Sequence, residues 1–149
     1  MTMMEDESNT FRRDLSVGES VEFKVLNMLQ RTYPRSYKKE GYAKEWDIYI
    51  PEIGEGVEVK SDQKSQYTGN LVIEIEFNGK PSALSTTKSH VWVFYTGKKY
   101  IFTTPKRIRD AVRDMTPVTF TAKGDYSPKK AYLIRQEEIE ATSLKVMEE

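Results

Sequence analysis

Three carboxylates and one amine, Glu22, Asp47, Glu58 and Lys60, are the residues of this chain whose types and spacing best suit chemistry. The stretch Lys44-Glu45-Trp46-Asp47-Ile48-Tyr49-Ile50 alternates as a strand does, and so does Val57-Glu58-Val59-Lys60. Between them lies the turn-forming Pro51-Glu52-Ile53-Gly54-Glu55-Gly56. Two strands joined in this way bring Asp47 and Glu58 to one edge of a hairpin. Carboxylates placed a few ångströms apart repel each other unless a cation lies between them. With no cysteine and a single histidine, His90, the chain offers hard oxygen donors, which select Mg2+ or Mn2+. Lys60 follows Glu58 by two residues, so its ammonium falls on the same face. There it can hold a water or steady a pentacovalent phosphate.

The fourth member, Glu22, comes from a helix. Ser16-Val17-Gly18-Glu19 reads as a capping box with Ser16 as N-cap, and a helix is expected over about 17–31. Val21, Val25, Leu26, Met28 and Leu29 form one stripe at helical spacing, and Glu22 falls inside it. A carboxylate on an inward face needs a partner or a metal. Tyr33-Pro34 ends this helix. Further on, Leu71 to Phe77 is a strand pattern, and His90 to Tyr95 is an apolar run expected as a central, buried strand. Tyr100-Ile101-Phe102 is another strand, and Thr104-Pro105 starts a helix carrying Ile108, Ala111 and Val112. Residues 61–70 and 78–89 read as loops, the second with one helical turn. Val118 to Ala122 and Ala131 to Ile134 are short strand candidates.

The 149 residues fit one domain able to bury its own core. Residues 1–10 carry three acids and no base and are expected as a mobile acidic tail. Residues 136–149 carry five acids and one lysine and are expected as an acidic helix or tail. Between these ends, residues 96–135 hold ten Lys and Arg against three Asp, a net of +7. A second basic stretch contains Arg31, Arg35, Lys38, Lys39 and Lys44 against only Glu40, interleaved with Tyr33, Tyr37 and Tyr42. Such clusters suit a phosphate backbone with stacked bases, or they form a solvated surface. The absence of cysteine, of a long apolar run and of a signal-like start leads us to expect a cytoplasmic protein without membrane contact.

Taken in order, Glu22, Asp47 and Glu58-Val59-Lys60 resemble the PD-(D/E)XK nuclease superfamily, which includes restriction-type endonucleases and Holliday-junction resolvases. The resemblance spans roughly Ser16 to Tyr95, and Gly18 followed by Glu22 is similar to the first helix of the resolvase branch. The segment from Thr68 to Lys88, with Trp92, looks like small phage-encoded members, for which the compartment would be the host cytoplasm. Trp46 stands where the family has its proline. The resemblance implies an α/β fold, a mixed central sheet flanked by helices with a restriction endonuclease-like α-β-β-β-α-β core. It implies a Mg2+- or Mn2+-dependent deoxyribonuclease in which Glu22, Asp47, Glu58 and the Val59 carbonyl hold metal and Lys60 assists the attacking water. Cleavage would leave 5′-phosphate and 3′-hydroxyl ends. The expected partner is DNA, structured or branched, because no element clearly reads bases. A resolvase makes paired cuts, so that branch implies a homodimer. The alternative is a nuclease-fold DNA-binding or scaffold protein without turnover.

Weaker candidates surround this set. Lys38 and Lys39, with Ser85, Thr86, Thr87 and Lys88, could grip phosphate through ammonium, hydroxyl and amide groups. Ser85 to Lys88 could equally cap a short helix. Glu74 and Glu76 share a face that reads as solvated, His90 reads as a satisfied structural histidine, and Trp92 reads as core. Gly79-Lys80 lacks the upstream glycine of a phosphate loop.

Overall fold

The hydrophobic pattern resolves into two sheets and two cores. A computed structural model describes residues 3–41, 44–121 and 126–149, with side chains from Val17 onward. The first sheet has six strands in the order β1 (Tyr37–Lys38), β2 (Ile48–Ile50), β3 (Glu55–Ser61), β6 (Val91–Tyr95), β7 (Lys99–Thr103) and β10 (Lys145–Glu148). Only β3 and β6 pair in parallel; every other neighbour is antiparallel. The second sheet is antiparallel and contains β5 (Lys80–Pro81), β4 (Asn70–Phe77), β9 (Lys129–Arg135) and β8 (Val118–Phe120) in that order. The fold is therefore mixed α/β, as expected, with a six-stranded mixed sheet between helical layers. The four-stranded sheet is an addition that local patterns did not reveal.

Strand alternation sends side chains of the six-stranded sheet into both cores. Ile48, Ile50, Val57, Val93, Tyr95, Tyr100 and Phe102 pack against Val21, Val25 and Leu26 of the helix α1 (Met3–Gln30). Trp92, Phe94 and Ile101 point the other way. They meet Leu71, Ile73 and Ile134 of the second sheet, Leu84 of a 3-10 turn at Ala83–Ser85, and two helices, α3 (Pro105–Val112) and α4 (Gln136–Ala141). The strand β6 is central and buried, as its apolar run predicts. The helix α3 starts where Thr104-Pro105 predicts, with the Thr104 hydroxyl accepting from the Arg107 amide.

Three local expectations change. The helix α1 begins at Met3, so residues 3–10, expected as a tail, are helical. No proline interrupts the chain before Pro34, and an interior Gly18 costs a helix only about 1 kcal/mol, so the cap signal at Ser16 did not have to act. The acidic stretch 136–149 divides into α4 and β10, because Val146 and Met147 pair with Ile101 and Tyr100 along the open edge of β7. The expected loop 61–70 holds a short helix, α2 (Ser65–Thr68). Tyr42 and Ala122, read above as parts of a basic patch and a strand, lie outside the described residues.

Candidate active site

The hairpin β2–β3 carries the site. Its register sets Ile48 opposite Val57 and Tyr49 opposite Gly56, which places Asp47 across from Glu58. Ile48 and Val57 face α1, so Asp47 and Glu58 share the opposite side of the sheet. The Asp47 amide donates to the Val57 carbonyl at 2.9 Å, and one Asp47 carboxylate oxygen accepts from the Val59 amide at 2.8 Å. The N–H and C=O of one strand residue point to the same edge, so the Val59 carbonyl opens beside Asp47. Trp46 anchors this corner. Its ring stacks on Tyr49, with centroids 5.2 Å apart, and lies against Gly56, where an added Cβ would fall 2.4 Å from the indole.

Lys60 projects beside Glu58. Its Nζ lies 3.3 Å from a Glu58 oxygen and 5.2 Å from the centre of the Trp92 ring. The buried Trp92 thus does more than fill the core: it gives the ammonium an aromatic face. Glu22 reaches the corner from α1, where Lys38 Nζ stands 3.2 Å and Lys44 Nζ 3.7 Å from its oxygens. Lys44 also lies 3.1 Å from Asp47, so one ammonium bridges two of the three acids.

The electrostatics differ from those of satisfied ion pairs. Burial, then the negative charge of Asp47, push the Glu22 carboxyl above its ordinary value, against the pull of Lys38 and Lys44. Burial pushes the Glu58 carboxyl up as well; Lys60 opposes this and Asp47 adds to it. Burial would lower the Lys44 ammonium, but its hydrogen bond to Asp47 and the surrounding acids outweigh this and raise it. The corner therefore sets three acids against three lysines, and burial more than any excess of charge raises its carboxyls.

A pocket of about 290 Å3 opens over Glu58 and Lys60, lined also by Lys44, Thr86, Thr87 and Lys88, while Asp47 and Glu22 lie outside its wall. Three of the weaker phosphate candidates thus share a cavity with the hairpin residues. The remaining ones are used elsewhere or lie apart. Ser85 donates its hydroxyl to the Ile75 carbonyl. Lys38 is turned onto Glu22 and over the Phe23 ring at 4.2 Å, because its strand β1 runs beside α1; this pairing takes its ammonium away from the surface role expected of it. Lys39 holds the Asp47 carbonyl through its backbone amide. The Thr87 hydroxyl accepts from Trp92 Nε1 and the Ser89 amide. Lys88 pairs with Glu45 at 3.6 Å. His90 Nδ1 accepts from the Gly56 amide, a structural task. Glu74 accepts from the Ser82 hydroxyl.

The donor chemistry fits a hard divalent cation: two facing carboxylates and an adjacent carbonyl, all oxygen donors. Among the described residues, no group of three Asp, Glu, His or Cys side chains is gathered as ligands of one ion. Asp47 and Glu58 form the pair, and Glu22 stands behind Lys44. Lys44 is the residue that the sequence reading left in a general basic patch. Its signal was its place three residues before Asp47.

Comparison with known proteins adds no relative: no family model, no curated protein and no solved structure matches the chain. Among the described residues, no helix is long and apolar enough to cross a membrane.

Proposed function

We propose that the protein is a divalent-metal-dependent DNA nuclease, an endonuclease acting on structured or branched DNA in the cytoplasm, built on a restriction endonuclease-like core. The observation that carries this reading is the convergence of Asp47, Glu58 and Lys60 on one side of a hairpin, with Glu22 and Lys44 closing the corner. Helix α1, the antiparallel strands β1 to β3 and the parallel β6 follow the element order of that core. The crossover between β3 and β6 carries α2 and the strands β4 and β5 where the core has a long helix.

Asp47, Glu58 and the Val59 carbonyl would hold Mg2+ or Mn2+, with Glu22 available behind Lys44. The bound ion would supply Lewis acidity toward the phosphate and a lowered pKa for a coordinated water. The chain's own residues do the rest. The Lys60 ammonium, steadied by Glu58 and Trp92, donates toward the attacking water and the phosphate oxygens as negative charge grows on them. Thr86 and Lys88 line the wall opposite and would position the backbone. Water adds to phosphorus as the bond to the 3′ oxygen breaks, leaving a 5′-phosphate and a 3′-hydroxyl. Paired cuts at a branch would use two copies of the chain.

The test is incubation with supercoiled, linear, single-stranded and four-way-junction DNA, each with Mg2+, Mn2+ or EDTA. Metal-dependent cutting that Asp47→Ala and Lys60→Ala remove is the expected result; cutting that survives both substitutions defeats the mechanism. Lys44 between Glu22 and Asp47 favours a second reading, a nuclease-fold DNA-binding protein without turnover. It would bind the same DNAs with no cleavage in either metal.

A further inference from the structure

The candidate active site continues into a second cavity of about 390 Å3 that shares Lys60, Ala83 and Trp92 with the first. Its far wall is the four-stranded sheet, through Val72, Phe120 and Lys129. The register explains which residues stand there. Val72 is opposite Leu133, Val118 is opposite Ala131, and Lys129 is opposite both Phe77 and Phe120. Val72, Phe77, Val118, Phe120, Lys129 and Leu133 share the outer face with the fully buried Ala131, while Leu71, Ile73 and Ile134 fill the core on the other.

That outer face shares Glu74, Lys129 and a buried Ala131 with four apolar residues open to solvent. Val72 is 41% exposed, and Phe77, Val118 and Leu133 are each 42% exposed. Strand faces turned to water are normally polar, so this one has an occupant to meet. Its charge is mixed: Lys60 and Lys129 are balanced by Asp62 and Glu74 along the cavity. The exposed Phe77 ring, with Lys129 Nζ 6.0 Å from its centre, and the partly buried Phe120 ring suit flat neutral bases with a phosphate chain running past them. A duplex keeps its bases stacked inside and would leave these rings without a partner. Val72, Phe120 and Lys129 line one cavity with Lys60, so a strand lying there leads toward Glu58.

We propose that the outer face of the four-stranded sheet is a stacking platform for the unpaired bases of a single-stranded DNA segment that enters the candidate active site. The proposal rests on the DNA reading of that site and specifies the substrate as one with an unpaired strand beside the cut.

The experiment measures binding of the full chain, in EDTA so that nothing is cut, to a fluorescein-labelled oligo(dT) strand and to a blunt duplex of equal length. Oligo(dT) should bind more tightly than duplex. Phe120→Ala should weaken oligo(dT) binding about tenfold and leave duplex binding unchanged. Phe120→Tyr, which keeps a ring, should bind as the native chain does. Phe77→Ala, at an exposed position, should repeat the loss if Phe120→Ala fails to fold. Oligo(dT) affinity that is indifferent to both alanine substitutions, with unchanged melting curves, overturns the platform. So does a dimer, seen by light scattering, that Leu133→Asp dissociates without altering oligo(dT) affinity, since the face would then belong to a second copy. Ring-dependent binding of oligo(dT) without any metal-dependent cutting keeps the platform and removes the nuclease reading. Cutting of branched DNA with ring-independent binding does the reverse.

Discussion

Two charged corners flank helix α1, and they are built from the same residue types with opposite outcomes. In one, Glu149 accepts from Lys24 Nζ at 2.9 Å and from the Tyr95 hydroxyl at 2.5 Å. Those two hydrogen bonds, Tyr95 first, hold the Glu149 carboxyl below its ordinary value. Tyr95, through burial and then this hydrogen bond, is pushed up to about 12. In the other corner, Glu22 and Glu58 also have lysine partners, yet both carboxyls are pushed up. The difference lies in burial and crowding. Glu149 meets its donors near the surface; Glu22, Asp47 and Glu58 crowd together in partly buried positions. The first corner is a finished structural pairing. The second keeps crowded, half-buried carboxyls at raised values despite their lysine partners, which is the signature expected of a functional site.

The largest contrast between the corners should be in catalysis. Lys60→Ala should reduce Mg2+-dependent nicking of supercoiled DNA by about 10²–10³-fold, the scale of one lost donor to a developing anion. Glu149→Gln should leave nicking rates unchanged. Equal losses in both variants would erase the distinction drawn here.

Next in size is a packing test of the hairpin corner. Gly56→Val should cost about 1–3 kcal/mol in urea denaturation, because the new side chain meets the Trp46 ring and must displace it. The displaced indole adjoins Asp47, so nicking should fall together with stability. A variant of native stability and activity would show that Trp46 does not anchor the site.

The corners should also part in their response to pH and metal. Raised carboxyl values at Glu22 and Glu58 mean that the folded chain binds protons more readily than the unfolded chain. Their contribution to stability is present below the ordinary value of 4.5 and is lost as pH rises through the raised folded values. Above that window both carboxylates are ionised and repelled by Asp47, and a divalent cation should relieve them. Mg2+ or Mn2+ should therefore raise the melting temperature at pH 8 and progressively less as pH falls toward the window. Glu149, held low, has the opposite sign: its contribution is present above 4.5 and is lost as pH falls. Scanning calorimetry across pH, with and without Mn2+, reads both behaviours. A metal increment independent of pH would remove Glu22 and Glu58 from the ion's surroundings.

The smallest expected effect is at Lys44. Lys44→Met removes the ammonium that bridges Glu22 and Asp47, so the Mn2+-induced rise in melting temperature should increase modestly over the native chain. A smaller rise would mean that Lys44 supports the ion's site instead of competing for it.

Much of the hairpin corner was legible from local pattern. Period-2 alternation put Glu58 and Lys60 on one face, and the turn, at 51–54 within the expected 51–56, returned the chain so that Asp47 met Glu58. The inward position of Glu22 followed from helical spacing. The pairing of Lys38 with Glu22 is not legible, because nothing near it in sequence shows that Tyr37–Lys38 pairs with Tyr49 and Ile48 beside α1. The C-terminal corner was not legible at all: the Lys24–Glu149 pair joins residues 125 apart.

By itself, then, the chain's order of residues determined the helix stripe, the main strands, the hairpin and the chemical types that meet on it, because these depend on neighbours a few positions away. Tertiary structure alone decided the parallel seam between β3 and β6, the second sheet with its open aromatic face, the division of residues 136–149 into helix and strand, and the seat of Lys44 among the acids. Each of these depends on which distant surface is left to be covered, or which distant charge is left to be balanced, once the local elements have formed.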